Sequence, residues 1–354
     1  MEKKKLLLAA NLTQECQDLI KEYCDIDYAV CPENGGSRIF DDAMIEEYAN
    51  HEIIIFSLQD VTDTCLKRWK ETGLKLLVCT RGTPVNCPWK TIHDMEIPLV
   101  YSPGRNAQAV AEMVFGLILG LTRNIALASN GIKNGEFAGD PMDDYFTIPD
   151  RKDVNWILKD GSRIYSHLPM AFELNNRSIG IVGFGAIGKK VCHIAKYGFD
   201  MKVYAYDPFL TDEQISEYGA IPSKLEDLLS TVDFVSIHLP VTPETRNSVD
   251  MSWFKQMKKE AYLVNTARAS VVNQKDLIDA LQEGIIAGFA ADVCWIEPIP
   301  GNHPFLKMDN VLLTPHIGAQ VMDIPRHQSE IVTGDIIAYC KGEPLKNTWK
   351  RIDQ

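Results

Sequence analysis

Residues 179–188 read IGIVGFGAIG. An apolar run ends in three glycines, Gly183, Gly185 and Gly188, spaced G-x-G-x-x-G, and an amphipathic run follows from Ile187 to Tyr197. The bare pattern is weak, because glycine turns between strands and helices are common. Its context is specific. A second apolar run, Lys202–Asp207, ends on a carboxylate 19 residues past Gly188, where a dinucleotide-binding βαβ unit places its ribose-binding acid. Gly183 is expected to make the tight turn, Gly185 to admit the pyrophosphate, and Gly188 to let helix pack on strand. A helix starting near Ala186 aims free N–H groups and its positive dipole end at phosphates. Asp207 accepts from ribose hydroxyls and repels a 2′-phosphate, so the cofactor read here is NAD. Phe184, Ala186 and Ile187 complete the loop.

Outward from this loop, short apolar runs alternate with amphipathic ones. Strands are expected at Ser178–Gly183, Lys202–Asp207, Phe234–His238, Tyr262–Thr266, Ile286–Asp292 and Val311–Thr314, which makes six in a doubly wound order. Helices are expected near Ile187–Tyr197, Thr211–Tyr218, Lys224–Leu229, Trp253–Met257 and Gln274–Glu283. Upstream, strands fit Lys5–Ala10, Asp27–Val30, Glu52–Phe56, Lys75–Thr80 and Pro98–Tyr101. Helices fit Thr13–Tyr23, Asp41–Tyr48 and Val61–Glu71 between them. This alternation implies α/β lobes with parallel sheets. Asn106–Ile125 reads as one long, buried helix. From Ala126 to Leu174 the periodicity fails, but Phe137, Tyr145, Phe146, Trp156 and Tyr165 argue for order between Gly131 and Pro169. The final helix, Pro325–Cys340, needs another surface to pack on.

The 354 residues suffice for two domains, and 45% hydrophobic content can fill two cores. A net charge of -12 argues against nucleic acid or an anionic membrane as partner. The nine cysteines form no C-x-x-C pair and read as reduced thiols. Cys192-His193 lies within a helix without ligand spacing, so no metal is expected. The apolar run Leu6–Ala10 is too short for a signal peptide, and no stretch approaches membrane-spanning length. The reading is a soluble, cytoplasmic protein.

Three further segments end strands of the second series: Asn265-Thr266-Ala267-Arg268, Asp292-Val293-Cys294-Trp295-Ile296-Glu297-Pro298, and Thr314-Pro315-His316-Ile317-Gly318. In a doubly wound sheet, ligands sit beyond the carboxyl ends of the strands, so these segments share a crevice with the dinucleotide. Oxidising a hydroxyl-bearing carbon by hydride loss needs a base for the hydroxyl proton, and histidine titrates in the right range. A carboxylate on the other ring nitrogen fixes its tautomer. A guanidinium can grip a carboxylate through two parallel hydrogen bonds.

Together, RNAQAVAEMVFGLIL, VGFGAIG, YDPF, SIHLPVTPETRN, VNTARASVVN, AADVCWIEP and TPHIGA occur in an order and spacing that closely resemble the D-2-hydroxyacid dehydrogenase family, in its phosphoglycerate dehydrogenase-like branch. The resemblance implies that Arg268 holds the substrate carboxylate, His316 is the acid/base and Glu297 its partner. It also implies that Asp292 meets the nicotinamide carboxamide, while Leu239, Pro240, Thr245, Thr266, Ala267 and Gly318 line the cofactor. The implied fold is two Rossmann/flavodoxin-like doubly wound lobes, the nucleotide lobe inserted into the substrate lobe. Its boundaries fall at residues 1–105 plus 319–354 for substrate and 106–318 for NAD, with an extended connection at 131–170. A homodimer through the long helix is implied too. The resemblance also covers glyoxylate or hydroxypyruvate reductases and, from another class, NAD-sensing corepressors; turnover separates these last from enzymes.

The substrate loop departs from the branch. Gly82, Thr83 and Val85 match it, whereas Arg81, Pro84 and Asn86 stand where small or acidic residues are usual, and Arg105 replaces a small residue. Arg81 and Arg105 follow strands of the first series and are expected to meet a second anionic or polyhydroxylated part of a 2-hydroxy acid. That part is phosphorylated or sugar-acid-like.

Overall fold

The computed structural model describes residues 2–29, 42–141, 143, 146 and 156–350. The chain begins β1 (Lys4–Ala9), α1 (Gln14–Lys21), β2 (Cys24–Tyr28), α2 (Asp42–Glu47), β3 (Ile53–Phe56), α3 (Asp63–Glu71), β4 (Leu76–Cys79), α4 (Trp89–Asp94) and β5 (Leu99–Val100). Helices α5 (Ala107–Thr122) and α6 (Ile125–Lys133) follow. The second series is β6 (Ser178–Val182), α7 (Ala186–Phe199), β7 (Lys202–Tyr206), α8 (Asp212–Ser216), β8 (Ile221–Pro222), α9 (Leu225–Thr231), β9 (Phe234–Ile237), α10 (Met251–Phe254), β10 (Tyr262–Asn265), α11 (Gln274–Gln282), β11 (Gly288–Ala291) and β12 (Val311–Leu313). Helix α12 (Ile324–Lys341) ends it. Two compact units result: Met1–Ala107 with Gln320–Gln354, and Gln108–Ala319.

In the first unit the strands are parallel in the order β2-β1-β3-β4-β5, the flavodoxin-like sequence. The runs IIIF of β3 and LLVC of β4 are buried throughout. Continuous apolar runs are what a parallel strand covered on both faces requires. Helix α12 supplies Val332, Ile336 and Cys340 to the cluster that holds Leu6, Leu8, Ile53 and Val78, so the last helix finds its surface here. The second strand lies earlier than the sequence suggests, at Cys24–Tyr28 and not Asp27–Val30. It is an edge strand whose residues beyond Cys24 are half-buried or exposed, which weakens its apolar signal. Val30, Asp41 and Cys31 lie outside the described residues.

The second unit has a parallel sheet ordered β12-β11-β10-β9-β6-β7-β8. It holds seven strands where six were expected. The extra one, β8, is two residues long and ends in proline at the sheet edge, too little for a periodic signal. The order reverses between β6 and β9, the switch point where such folds bind ligands.

Helix α5 sinks Ala111, Val114, Phe115, Leu117 and Ile118 into this unit's core. The single helix expected over Asn106–Ile125 stops at Thr122, where Asn124 turns left-handed (φ 57°), and α6 leaves at 64°. Helix α6 thus extends into the stretch expected to lack periodicity, ending at Lys133. Among the described residues no single helix is long and apolar enough to cross a membrane; only the bent pair α5–α6 reaches that composition.

Beyond α6, the Phe137 ring lies against Gly131, where a side chain would meet it at 2.3 Å. Trp156 Nε1 donates to the Phe137 carbonyl at 2.8 Å. Phe146 and Tyr165, in contrast, are 81% and 82% exposed. Tyr145 lies outside the described residues.

Candidate active site

The glycine loop leaves β6 for α7 at the switch point. Gly183 has φ 92°, and a Cβ there would lie 2.7 Å from the His238 carbonyl oxygen. Gly188 packs so closely that a Cβ would stand 2.4 Å from the Gly183 carbonyl oxygen. Gly185, the N-cap of α7, has nothing within 4 Å of its Cβ position. Two glycines are therefore demanded by the fold, and the third keeps open the spot where a pyrophosphate would press on backbone. Gly185 and Ala186 are exposed and Ile187 half-buried.

Asp207 follows β7 and does more than the sequence suggests. Its Oδ2 accepts from Phe184 N–H at 2.8 Å and its Oδ1 from Phe209 N–H at 3.0 Å. The carboxylate thus braces the glycine loop and keeps lone pairs free for a ribose. Phe184, expected beside the cofactor, is fully buried, edge-on to Tyr218. It is a packing residue behind the loop, because its side chain has no exposed surface to offer.

After β9, Thr245 Oγ1 donates to the Pro240 carbonyl at 2.6 Å and folds the Leu239–Thr245 loop on itself. Thr266, after β10, buries a hydroxyl with no partner among the described residues, as does His238 at Nδ1. Burial pushes His238 down to about 4, so it stays neutral. Unpaired polar atoms at strand ends around an open glycine loop suit a polar cofactor.

His316 lies in the turn after β12 with φ 57°. Its Nδ1 is 2.9 Å from Glu297 Oε2, while Glu297 Oε1 accepts from Cys294 N–H at 3.0 Å. Desolvation opposes the charge on Glu297, but the Cys294 N–H, His316 and then Arg268 outweigh it and hold the carboxyl below the ordinary glutamate value. Arg268 is exposed, and its Nη1 donates to the Ala267 carbonyl at 2.7 Å. Asn265, fully buried at the end of β10, shapes that turn: its Nδ2 donates to the Arg268 carbonyl and its Oδ1 accepts from Ala267 N–H. The sequence carries no pattern that marks this brace, because both of its partners are backbone groups.

Asp292 is 3% exposed at the end of β11. Its Oδ1 accepts from Thr314 Oγ1 (2.6 Å) and Ile317 N–H (2.9 Å), and its Oδ2 from Gly318 N–H (2.7 Å). The expected carboxamide partner is therefore first an anchor for the turn on both sides of His316. Gly318 allows this closeness, since a Cβ would lie 2.8 Å from Oδ2.

The remaining expected residues belong to the first unit. Arg81, Gly82 and Thr83 follow β4, and Arg105 precedes α5. Two of the departures there are structural. The Pro84 carbonyl accepts from Trp89 Nε1 at 2.6 Å, and Asn86 Nδ2 donates to the Ser57 and Gln59 carbonyls.

A phosphate-ready βα turn, an acid after the second strand and a histidine–carboxylate pair in one Rossmann unit define an NAD-dependent oxidoreductase. Residues 115–318, more than half the chain, match the D-isomer specific 2-hydroxyacid dehydrogenase, NAD binding domain family. The glyoxylate reductase of Thermofilum pendens is 37% identical over 252 residues, 70% of this chain and 66% of that protein. The D-3-phosphoglycerate dehydrogenase of Archaeoglobus fulgidus is 28% identical over 97% of this chain and 58% of its own length. Among solved structures, holo D-mandelate dehydrogenase of Rhodotorula graminis superposes with a TM-score of 0.79 at 22% identity, covering 100% of this chain and 99% of that one. The chain belongs to the D-isomer specific 2-hydroxyacid dehydrogenase family.

Proposed function

We propose that this protein interconverts a D-2-hydroxy acid and its 2-oxo acid, with His316, Glu297 and Arg268 as the catalytic group. The observation that carries this is the 2.9 Å pairing of His316 Nδ1 with Glu297, because His316 Nε2 remains uncommitted among the described residues. NAD, when bound, supplies the hydride acceptor, and NADH the donor. In oxidation, His316 Nε2 takes the hydroxyl proton; in reduction it returns that proton to the new alkoxide oxygen. Glu297 keeps the ring oriented and favours its charged form. Arg268 holds the substrate carboxylate and so sets the reacting carbon over the cofactor. Gly183, Gly185, Ala186, Ile187, Gly188, Asp207, Leu239, Pro240, Thr266, Ala267, Asp292 and Gly318 are assigned to NAD. The deciding experiment follows NADH consumption over a panel of 2-oxo acids; no turnover with any of them rejects the reading.

Arg268→Lys is expected to lower kcat/KM roughly 10- to 100-fold, because an ammonium cannot make the two-bond grip. Wild-type kinetics in that variant would remove Arg268 from the group. Asp207→Ala is expected to lower kcat/KM with NAD about tenfold or more, since it loses the ribose acceptor and the loop brace together. Activity with NADP should fall less, as repulsion of the 2′-phosphate disappears too. An unchanged NAD-to-NADP ratio would show that Asp207 does not choose the cofactor.

A glyoxylate reductase is the second reading, favoured by the 37% identity to such an enzyme. Exposed Ile125 and Ile132 on α6 support a homodimer, testable by sedimentation. The eight cysteines among the described residues are free thiols, which supports a cytoplasmic setting.

A further inference from the structure

Within the first unit, the edge strand β2 opens on Cys24 and the returning helix α12 carries Cys340 in its last turn. Their sulfurs lie 3.6 Å apart, in van der Waals contact, although 316 positions separate them in the chain. Both are free thiols, buried in the cluster that holds Leu6, Ile53 and Val100. A disulfide needs about 2.05 Å between its sulfurs, so each has to move by roughly 0.8 Å. Turns about the two Cα–Cβ bonds supply a shift of that size, and nothing stands between the sulfurs.

The surroundings make Cys340 the reactive member. The Cys24 thiol donates to its sulfur and holds it below the ordinary cysteine value; Lys4 adds to that pull, against desolvation and Glu52. Cys24, as the donor, is pushed up. Lys4 is fixed in place: its Nζ donates to Glu52 Oε1 at 2.6 Å and lies 5.1 Å from the centroid of the Tyr339 ring. The Tyr339 hydroxyl donates to the same carboxylate oxygen at 2.9 Å. Other thiols go the opposite way, since burial pushes Cys79 and Cys192 up to about 11 and raises Cys87 and Cys294 too. Cys340 is 7% exposed against 1% for Cys24, so a small oxidant meets Cys340 first. A thiol that ionises readily, with a second thiol in contact to resolve it, has what a redox pair requires.

We propose that Cys24 and Cys340 are a redox couple, closed by a peroxide into a disulfide that latches α12 to β2. The Cys340 thiolate attacks one oxygen of hydrogen peroxide; the O–O bond breaks, a sulfenic acid forms, and hydroxide leaves and takes up a proton. The Cys24 sulfur then attacks the Cys340 sulfur, the S–O bond breaks, and the second oxygen departs as water with the Cys24 proton. The two cysteines lose two electrons, the peroxide gains them, and two waters result. A dithiol reopens the bond by exchange. Closed, the bond joins the two stretches of chain that build the first unit across the whole second unit, and so restrains the unfolded chain over a very long loop.

The test treats the full chain with a small excess of hydrogen peroxide, alkylates it before unfolding and maps it by mass spectrometry. The expected product is lighter by two hydrogens and yields a peptide pair joining Cys24 to Cys340. On a non-reducing gel it should run ahead of the untreated chain, because a loop of 316 positions compacts the denatured protein. Its Tm should rise by about 3 °C or more, the effect of restraining the unfolded state. Dithiothreitol should reverse all three changes. Cys24→Ser and Cys340→Ser should abolish the faster band, whereas Cys79→Ser should keep it; the peptide map of the wild type decides even if a variant fails to fold. A bond between Cys79 and Cys87 with Cys24 and Cys340 still free overturns the proposal. So does an unlinked sulfinic acid at Cys340, or a chain that peroxide leaves unchanged. A Cys24–Cys340 bond that forms without raising Tm overturns its role as a latch.

Discussion

His316→Ala is expected to lower kcat about 10²- to 10⁴-fold in both directions, the cost of a lost general acid/base. The backbone supplies a control. His316 has φ 57°, a left-handed conformation that alanine does not relieve and glycine does. His316→Gly should therefore be as inactive as His316→Ala yet melt at an equal or higher temperature. If both variants keep activity within tenfold of the wild type, another group moves the proton. If the glycine variant melts lower, the turn is not strained as its φ implies.

The pH dependence has a defined sign. Glu297 lies below the ordinary glutamate value, so its stabilising interactions are complete above that value and are lost as pH falls through the depressed one. The carboxylate therefore remains ionised throughout the neutral range. Reduction needs the imidazolium and fades as pH rises; oxidation needs the neutral ring and fades as pH falls. Glu297→Gln removes the carboxylate that orients the His316 ring, so kcat should fall about tenfold or more in both directions. Wild-type kcat in that variant would uncouple the pair.

How far the sequence reaches differs from one residue to the next. Gly183, Gly185 and Gly188 were assignable because each meets a local steric demand that only spacing must satisfy: a left-handed turn, an open approach, a tight packing. Helix α6 was not, because its start depends on a single left-handed Asn124 that no periodicity announces. Strand β8 escaped because two residues carry no period. Phe184 shares its loop with the glycines, but whether its ring faces core or ligand is settled by packing against Tyr218 and not by the motif. Likewise, chemistry could name Arg268, Glu297 and His316 as residue types, but not the buried Asn265 that shapes the arginine's turn. Its partners are backbone groups, which are the same in every sequence.

Asp292 is the clearest such case, and the second large effect is expected there. Its carboxylate gathers Thr314 Oγ1, Ile317 N–H and Gly318 N–H, flanking His316 on both sides. Asp292→Ala leaves these donors without their acceptor at a site 3% exposed in the parent. Each unpaired buried donor costs about 1–3 kcal/mol, so the sum is roughly 3–6 kcal/mol after water reaches part of the cavity. In a chain of this size that lowers Tm by about 4–8 °C. The larger consequence is kinetic. The left-handed turn at His316 loses the contacts that hold it, and a displacement of about 1 Å at a reacting group costs on the order of 10² in rate. Asp292→Asn keeps one acceptor oxygen but turns an N–H donor toward Ile317 or Gly318, so it should fall between the wild type and alanine. A role as anchor predicts that kcat drops while KM for NAD changes little, measured at a temperature where the variant is folded. A role confined to the nicotinamide carboxamide predicts the reverse. If KM for NAD rises tenfold with kcat intact, Asp292 does not position His316.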